Sequence, residues 1–147
     1  MATRMSLQQI VDAIALINSG IPGVRVSYNS QTLPQSQQFT VFPATFVLLG
    51  WDDWTKFGPT EFWIYCLLAP SNTTNSLGVV YQQALQLSQA FHDTYSLMTA
   101  NIGDRMIDRS KLSTKLGFGS TGFQSMLKWG NVSYYGFSVN LPLQPIA

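Results

Sequence analysis

The sequence of 147 residues contains a single cysteine and a single histidine. With Cys66 as the only thiol, the chain has no internal disulfide and no zinc site built from several thiolates. With His92 as the only imidazole, His-rich metal sites and a two-histidine proton relay are excluded as well. We therefore expect no metal and no cofactor, and a reducing compartment.

Charge is also scarce. Charged residues make up 10% of the chain, against about 25% in an ordinary globular protein. The polarity comes instead from 46 Ser, Thr, Gln and Asn residues. Eight Lys and Arg against seven Asp and Glu leave a net charge of +1, which provides no electrostatic basis for tight binding of nucleic acid. Because interface cores are poor in charge and rich in aromatics, and 13% of this chain is aromatic, the composition favours an oligomer.

Long apolar runs are missing too. None approaches the roughly 20 residues that span a bilayer. The apolar stretch at 10–17 is interrupted by Asp12 and lacks a small-residue cleavage site. We expect a protein that is neither exported by that route nor embedded in a membrane. The length fits one domain, residues 1–147, because two sizeable cores need a longer chain.

Helical periodicity predicts two helices, one short and one long. The short helix covers residues 7–18, and Ser6 with Gln9 forms a capping box at its start. The long helix follows the loop at 69–75 and covers residues 77–95.

Alternating and apolar runs predict five strands, which cover residues 24–28, 39–49, 61–68, 121–128 and 132–141. Pro43 places the second strand at an edge or a bulge, and Pro142 ends the last one. The strand at 61–68 is apolar on both faces, so we expect it in the middle of the sheet. A long hairpin loop is expected at 50–59. The order α-β-β-β-α-β-β predicts an α+β domain whose mostly antiparallel sheet packs on the two helices.

Residues 101–114 alternate only weakly, and we interpret them as an irregular arm with room for one short strand. The arm is the most charged part of the chain, with three cations interleaved with two carboxylates: Arg105, Arg109, Lys111, Asp104 and Asp108.

No group of residues favours catalysis. Cys66 lies in an apolar strand, where a buried inert thiol is expected rather than a nucleophile. His92 borders the apolar face of the long helix, as half-buried structural histidines do. Asp52 and Asp53 are adjacent in a predicted loop, so we favour a solvated turn over an acid–base pair. The glycines at 117–122 precede a strand rather than a helix, which is typical of turns and not of a phosphate loop.

Three aromatic residues, Trp51, Trp54 and Phe57, fall in the predicted loop at 50–59. Such residues anchor a partner chain, pack back on their own sheet, or stack on a sugar. Because binding hot spots are enriched in Trp and other aromatics, we favour the anchoring role.

Three short motifs carry a resemblance that covers nearly the whole chain. GIPGV at 20–24 ends the short helix, FPA at 42–44 precedes an apolar strand, and WGNVSYYG at 129–136 forms the terminal hairpin. Together with the charged aromatic loop and the long helix, these motifs make the chain resemble the tail terminator, or tail completion, proteins of long-tailed bacteriophages.

The resemblance implies a small α+β subunit that forms a hexameric ring at the head-proximal end of a tail. Such a ring stops polymerisation of the tail tube and joins the tail to the head. The implied partners are further copies of the chain, the tail tube protein and the head–tail connector or stopper protein. DNA would pass through the lumen without specific binding. The implied location is the tail or neck of the virion, assembled in the host cytoplasm, and no catalytic, cofactor or metal residues are carried over.

The candidate interface residues come from the aromatic loop and the arm, and they are Trp51, Asp52, Trp54, Phe57, Arg105 and Arg109. The cations of the arm either line the lumen or pair with Asp104 and Asp108 of a neighbouring subunit. The sequence leaves both arrangements open.

Three other functions remain as alternatives. A stopper, an adaptor or the tube protein has similar size and chemistry. A monomeric or dimeric α+β domain that binds a small ligand, as a binding protein or as an enzyme, would need polar groups in an apolar pocket between the sheet and the long helix. Only His92, Tyr65 and Tyr135 are available for that. A carbohydrate-binding module would use the aromatic loop.

Overall fold

The computed structural model describes residues 5–33, 39–52, 60–70, 77–116, 127–129 and 132–146. In chain order the elements are α1 (Leu7–Ser19), β1 (Val26–Ser27), β2 (Ala44–Asp52), β3 (Thr60–Pro70), α2 (Leu77–Ser96), β4 (Arg105–Ile107), β5 (Ser113–Leu116), β6 (Leu127–Trp129) and β7 (Val132–Pro145). A 3-10 turn, Arg109–Lys111, lies between β4 and β5. The predicted α+β fold with a mostly antiparallel sheet is confirmed.

All seven strands belong to one sheet, in which the order begins β1-β2-β3-β7. The second edge of β7 pairs with β6, β5 and β4 in turn, each antiparallel to it. Among the described strands, the two-residue pairing of β1 with β2 is the only parallel one. β3 lies between β2 and β7, as its apolar sequence predicts.

Both helices pack on one face of the sheet. Alternate residues of β3 and β7 face them and are buried, among them Phe62, Ile64, Cys66, Phe137, Val139 and Leu141. The helices are joined by the buried hydroxyl of Tyr95, which donates a hydrogen bond to Asn18 Oδ1. Burial raises the pKa of Tyr95 above its ordinary value, so the hydroxyl keeps its proton for this bond.

An aromatic cluster covers the opposite face of the sheet beside β2. The ring of Phe39 stacks on Phe46 with centroids 5.4 Å apart, and Phe46 stacks on Tyr65 at 5.3 Å. The Phe39 backbone N–H donates to the hydroxyl of Tyr134 at 3.2 Å. Phe39 is therefore held over this face by aromatic packing and by its bond to Tyr134.

The bounds of β2 differ from the prediction at both ends. The strand begins at Ala44 and not at residue 39, because Phe39 turns out of the strand into the aromatic cluster. It also runs through Trp51 and Asp52, which were expected in a loop but pair with Glu61 and Thr60. A register shift between Leu49 and Trp51 accommodates Gly50, which allows the ladder to continue.

Pro142 was predicted to end the last strand, but β7 continues to Pro145. The Pro142 carbonyl accepts a bond from the Asp108 N–H at 3.0 Å, so the backbone of Pro142 faces the arm. Pro142 lies between the residues of β7 that pair with β4 and those that pair with β5. The N–H that proline lacks would therefore have made no bond to either strand. Pro145 faces the other way, beyond the start of β3, and no strand residue within the described ranges lies opposite it.

Among the remaining elements, β1 is shorter than predicted, with two residues instead of the five at 24–28, whereas both helices agree closely with the sequence. The capping box of Ser6 and Gln9 is present, and the helices end within one residue of the predicted positions. The arm contains two short strands, one more than expected. The predicted strand at 121–128 is described only from Leu127, and the glycine-rich stretch at 117–122 lies outside the described residues.

Gly136 permits a close approach between β7 and β3. A Cβ atom on Gly136 would lie 2.0 Å from the carbonyl oxygen of Cys66. This contact is with backbone, which cannot move aside as a flexible side chain can. Gly136 is therefore required opposite the register shift of β3 between Leu67 and Ala69.

We expect Gly136→Ala to lower the free energy of unfolding by about 1–3 kcal/mol, because the added methyl overpacks a rigid site. Urea unfolding followed by circular dichroism measures the change. Gly20→Ala is the matched control, since a Cβ there would meet only Ile17 O at an ordinary 3.5 Å. Equal stability of the two variants would contradict this role for Gly136.

Candidate interaction surfaces

Of the predicted aromatic loop at 50–59, the structure describes residues 50–52 as the end of β2. Trp51 and Asp52 are the last residues of β2, and their side chains lie outside the described part of the chain. Trp54 and Phe57 lie outside it entirely. The anchoring role of these residues stays a prediction from the sequence.

Arg105, a candidate interface residue, lies inside the subunit. Its exposed fraction is 0%, and its Nη1 donates to Thr60 Oγ1 at 2.7 Å, across to the first residue of β3. A tight turn causes this placement: Gly103 has φ +62°, and paired backbone bonds join Ile102 to Arg105 on either side of the turn. Arg105 therefore fixes the arm to the sheet, and its guanidinium is not on the surface that a neighbour or the lumen would meet.

Asp104 is buried as well, with 6% of its surface exposed. Neither carboxylate oxygen has a hydrogen-bond partner among the described residues. This burial makes Asp104 a poor partner for a cation of a neighbouring subunit.

Arg109 and Lys111 are the exposed cations of the 3-10 turn. Arg109 Nε donates to the Ser96 carbonyl at the end of α2, at 2.9 Å. Lys111 Nζ lies 3.9 Å from Asp108 Oδ2, a weak ion pair on a side chain that is 72% exposed. Both charges remain available to a partner while the turn itself is held against α2.

Asp108 caps this turn. Its Oδ1 accepts from the Ser110 hydroxyl at 2.6 Å and from the Ser110 backbone N–H at 3.2 Å. The hydrogen bond from the Ser110 hydroxyl, supported by Gln144 and by the charge of Lys111, holds the pKa of Asp108 below its ordinary value. The carboxylate is thus ionised and committed to its own turn.

The outward surface of the two helices is uncharged. In α1 and α2 every exposed residue that the structure describes is neutral. The acidic residues of the helices, Asp12 and Asp93, are half-buried and accept hydrogen bonds from Ser30 and Gln89. Large apolar side chains are exposed on both helices, including Leu16 of α1 at 75% and Leu85 of α2 at 43%. The low charge of this surface was foreseeable from the sequence, because each helix contains one charged residue. The exposed leucines were not, because helical periodicity alone does not distinguish them from buried ones.

The candidate catalytic residues occupy the structural positions expected of them. Cys66 is buried in β3, and burial raises the pKa of its thiol, which disfavours the reactive thiolate. His92 is half-buried on α2. No cluster of three His, Cys, Asp or Glu residues able to hold a metal occurs among the described residues. Neither described helix is long and apolar enough to cross a bilayer.

Comparison of the chain with protein-family models, with curated proteins and with solved structures finds no match.

We expect Arg105→Ala to destabilise the subunit by about 2 kcal/mol or more, because it leaves a cavity and removes the buried donor to Thr60. Lys111→Ala, on the same arm, is the control and should change stability by less than about 0.5 kcal/mol. Thermal and urea unfolding of both variants measure the difference. If the two variants unfolded at the same midpoint, Arg105 would not be what holds the arm.

Proposed function

We propose that the protein is a phage tail terminator, a structural virion subunit that forms a hexameric ring at the head-proximal end of a tail. The observation that carries the proposal is the weakly charged surface of the two helices. Leu16 and Leu85 are exposed there, and no described residue that is exposed on either helix carries a charge. Such a surface is typical of a subunit that is covered in its assembly. The α+β architecture is the one that the resemblance implies.

In this proposal the subunit acts by shape rather than by chemistry. A ring forms when two different patches of one subunit are complementary and the rotation between copies closes. One face of the ring matches the end of the tail tube and the other meets the connector or stopper protein, so that no further tube subunit is added. The proposal includes no enzymatic activity, and DNA passes through the lumen without specific contacts.

The ligand-binding alternative finds less support. Of the polar groups available to it, Tyr65 lies on the aromatic face of the sheet, where it stacks on Phe46. Tyr135 lies on the opposite face, buried against the helices. Since pocket chemistry needs polar groups that converge, these two residues do not form one site. A stopper, adaptor or tube role shares the same surfaces and is separated from the terminator role by its effect on tail length.

The first test is the mass of the purified protein by light scattering, together with its position on isolated tails by electron microscopy. We expect a closed ring, either in solution or at the head-proximal end of the tail, and tails of abnormal length when the protein is absent. A monomer at every concentration, with no density for the protein at that end of the tail, would contradict the proposal.

A second test concerns the anchoring aromatic Trp54. Truncation of an aromatic anchor in a desolvated pocket typically costs about 2 kcal/mol or more of binding free energy, so Trp54→Ala should weaken ring assembly by roughly 30-fold or more. Thr55→Ala, in the same loop, should leave assembly unchanged. Sedimentation across a concentration series measures both. Unchanged assembly and tail length with Trp54→Ala would remove the anchoring role.

A further inference from the structure

The exposed charge on the described part of the chain is all positive. The carboxylates whose side chains the structure describes are buried or half-buried, and they are Asp12, Glu61, Asp93, Asp104 and Asp108. Those of Asp12, Asp93 and Asp108 accept hydrogen bonds from side chains of their own subunit. The exposed cations of the same part of the chain are Arg25, Arg109, Lys111 and Lys115. Apart from the weak pair of Lys111 with Asp108, no described carboxylate forms an ion pair with them.

Three of these cations lie close together on the arm. Arg109 and Lys111 belong to the 3-10 turn, and Lys115 lies on β5 opposite Ser138 of β7. The backbone of this segment is bonded to β7 at both the turn and the strand, so the charges are carried on a fixed support. A charged surface that is already ordered loses less conformational freedom when a partner binds.

An exposed apolar residue adjoins these cations. Leu97, which follows α2, is 75% exposed. Arg109 Nε donates to the carbonyl of the preceding residue, Ser96, at 2.9 Å. This bond orients the guanidinium and leaves its Nη groups to donate to an external carboxylate. Arginine beside apolar surface is typical of protein–protein interfaces.

An acidic protein surface fits this arrangement better than nucleic acid or a second copy does. Affinity for nucleic acid rises with the number of phosphates neutralised, and three cations provide little of it. A duplex also offers the apolar side chain of Leu97 no matching surface, since protein–DNA interfaces are strongly polar. A second copy is a poor partner because its described carboxylates are held within their own subunit.

From these observations we infer that Leu97, Arg109, Lys111 and Lys115, which we name the arm patch, dock on an acidic surface of a different protein. In such a contact the charges set the association rate and the salt dependence, and the apolar part adds stability. The inference rests on the proposed function, under which that protein adjoins one face of the ring. It adds which surface of the subunit makes the contact and what chemistry the partner presents.

Charge reversal at the arm patch tests the contact. Purified protein is added to isolated tails that lack it and, separately, to DNA-filled heads without tails, and attachment is measured by co-sedimentation at low salt. Lys115→Glu should weaken attachment to one of these by roughly tenfold or more, because it places a carboxylate against an acidic surface. Arg25→Glu is the matched control. It makes the same change of charge at an exposed residue next to β1, at the opposite edge of the sheet, and should attach as the unmodified protein does.

The outcomes separate the inference from the proposed function. Equal attachment of Lys115→Glu and Arg25→Glu overturns the inference and leaves the function standing. Loss of the ring itself with folded Lys115→Glu also overturns it, because a second copy would then occupy the patch. Binding of a DNA duplex that Lys115→Glu abolishes overturns it in favour of nucleic acid. An unmodified protein that neither forms rings nor attaches to tails or heads overturns the proposed function as well.

Lysine acetylation of the unmodified protein covers the case in which the variants fail to fold. Because a docked interface excludes solvent, Lys111 and Lys115 should react roughly tenfold more slowly in attached rings than in free rings. Mass spectrometry of the digested protein measures both rates. Unchanged reactivity of both lysines in attached rings overturns the inference.

Discussion

The close backbone approach of β7 to β3 at Gly136 is the constraint on which the rest of the structure depends. No side chain fits between Gly136 and the Cys66 carbonyl, so glycine at this position fixes how the two longest strands are aligned. A slip of one residue would turn every side chain of a strand to the opposite face. The alignment sends Tyr135 and Phe137 toward the helices and leaves Tyr134 in the aromatic cluster, so that both faces of the sheet are covered.

β7 also organises the arm. Its 14 residues are long enough to pair with β3 on one side and with three short strands on the other. Because even an isolated pair of strands is only marginally stable, each of these short strands depends on its pairing with β7. The guanidinium of Arg105 adds a second attachment, from β4 across to Thr60 of β3. The position of the exposed cations Arg109 and Lys111 is thereby tied to the frame of the sheet.

Features with a local cause were predictable from the sequence. The capping box fixes the start of α1, apolar periodicity fixes the extent of α2, and apolar residues on both faces mark β3 as central. Pro142 was misread because the cost of proline in a strand depends on which neighbour its missing N–H would face, and this is decided by β4 and β5. Arg105 was misread because its partner, Thr60, lies 45 residues away in the chain. Asp52 was predicted in a loop because Gly50, two residues earlier, indicated a turn, whereas the structure accommodates Gly50 at a register shift within the strand.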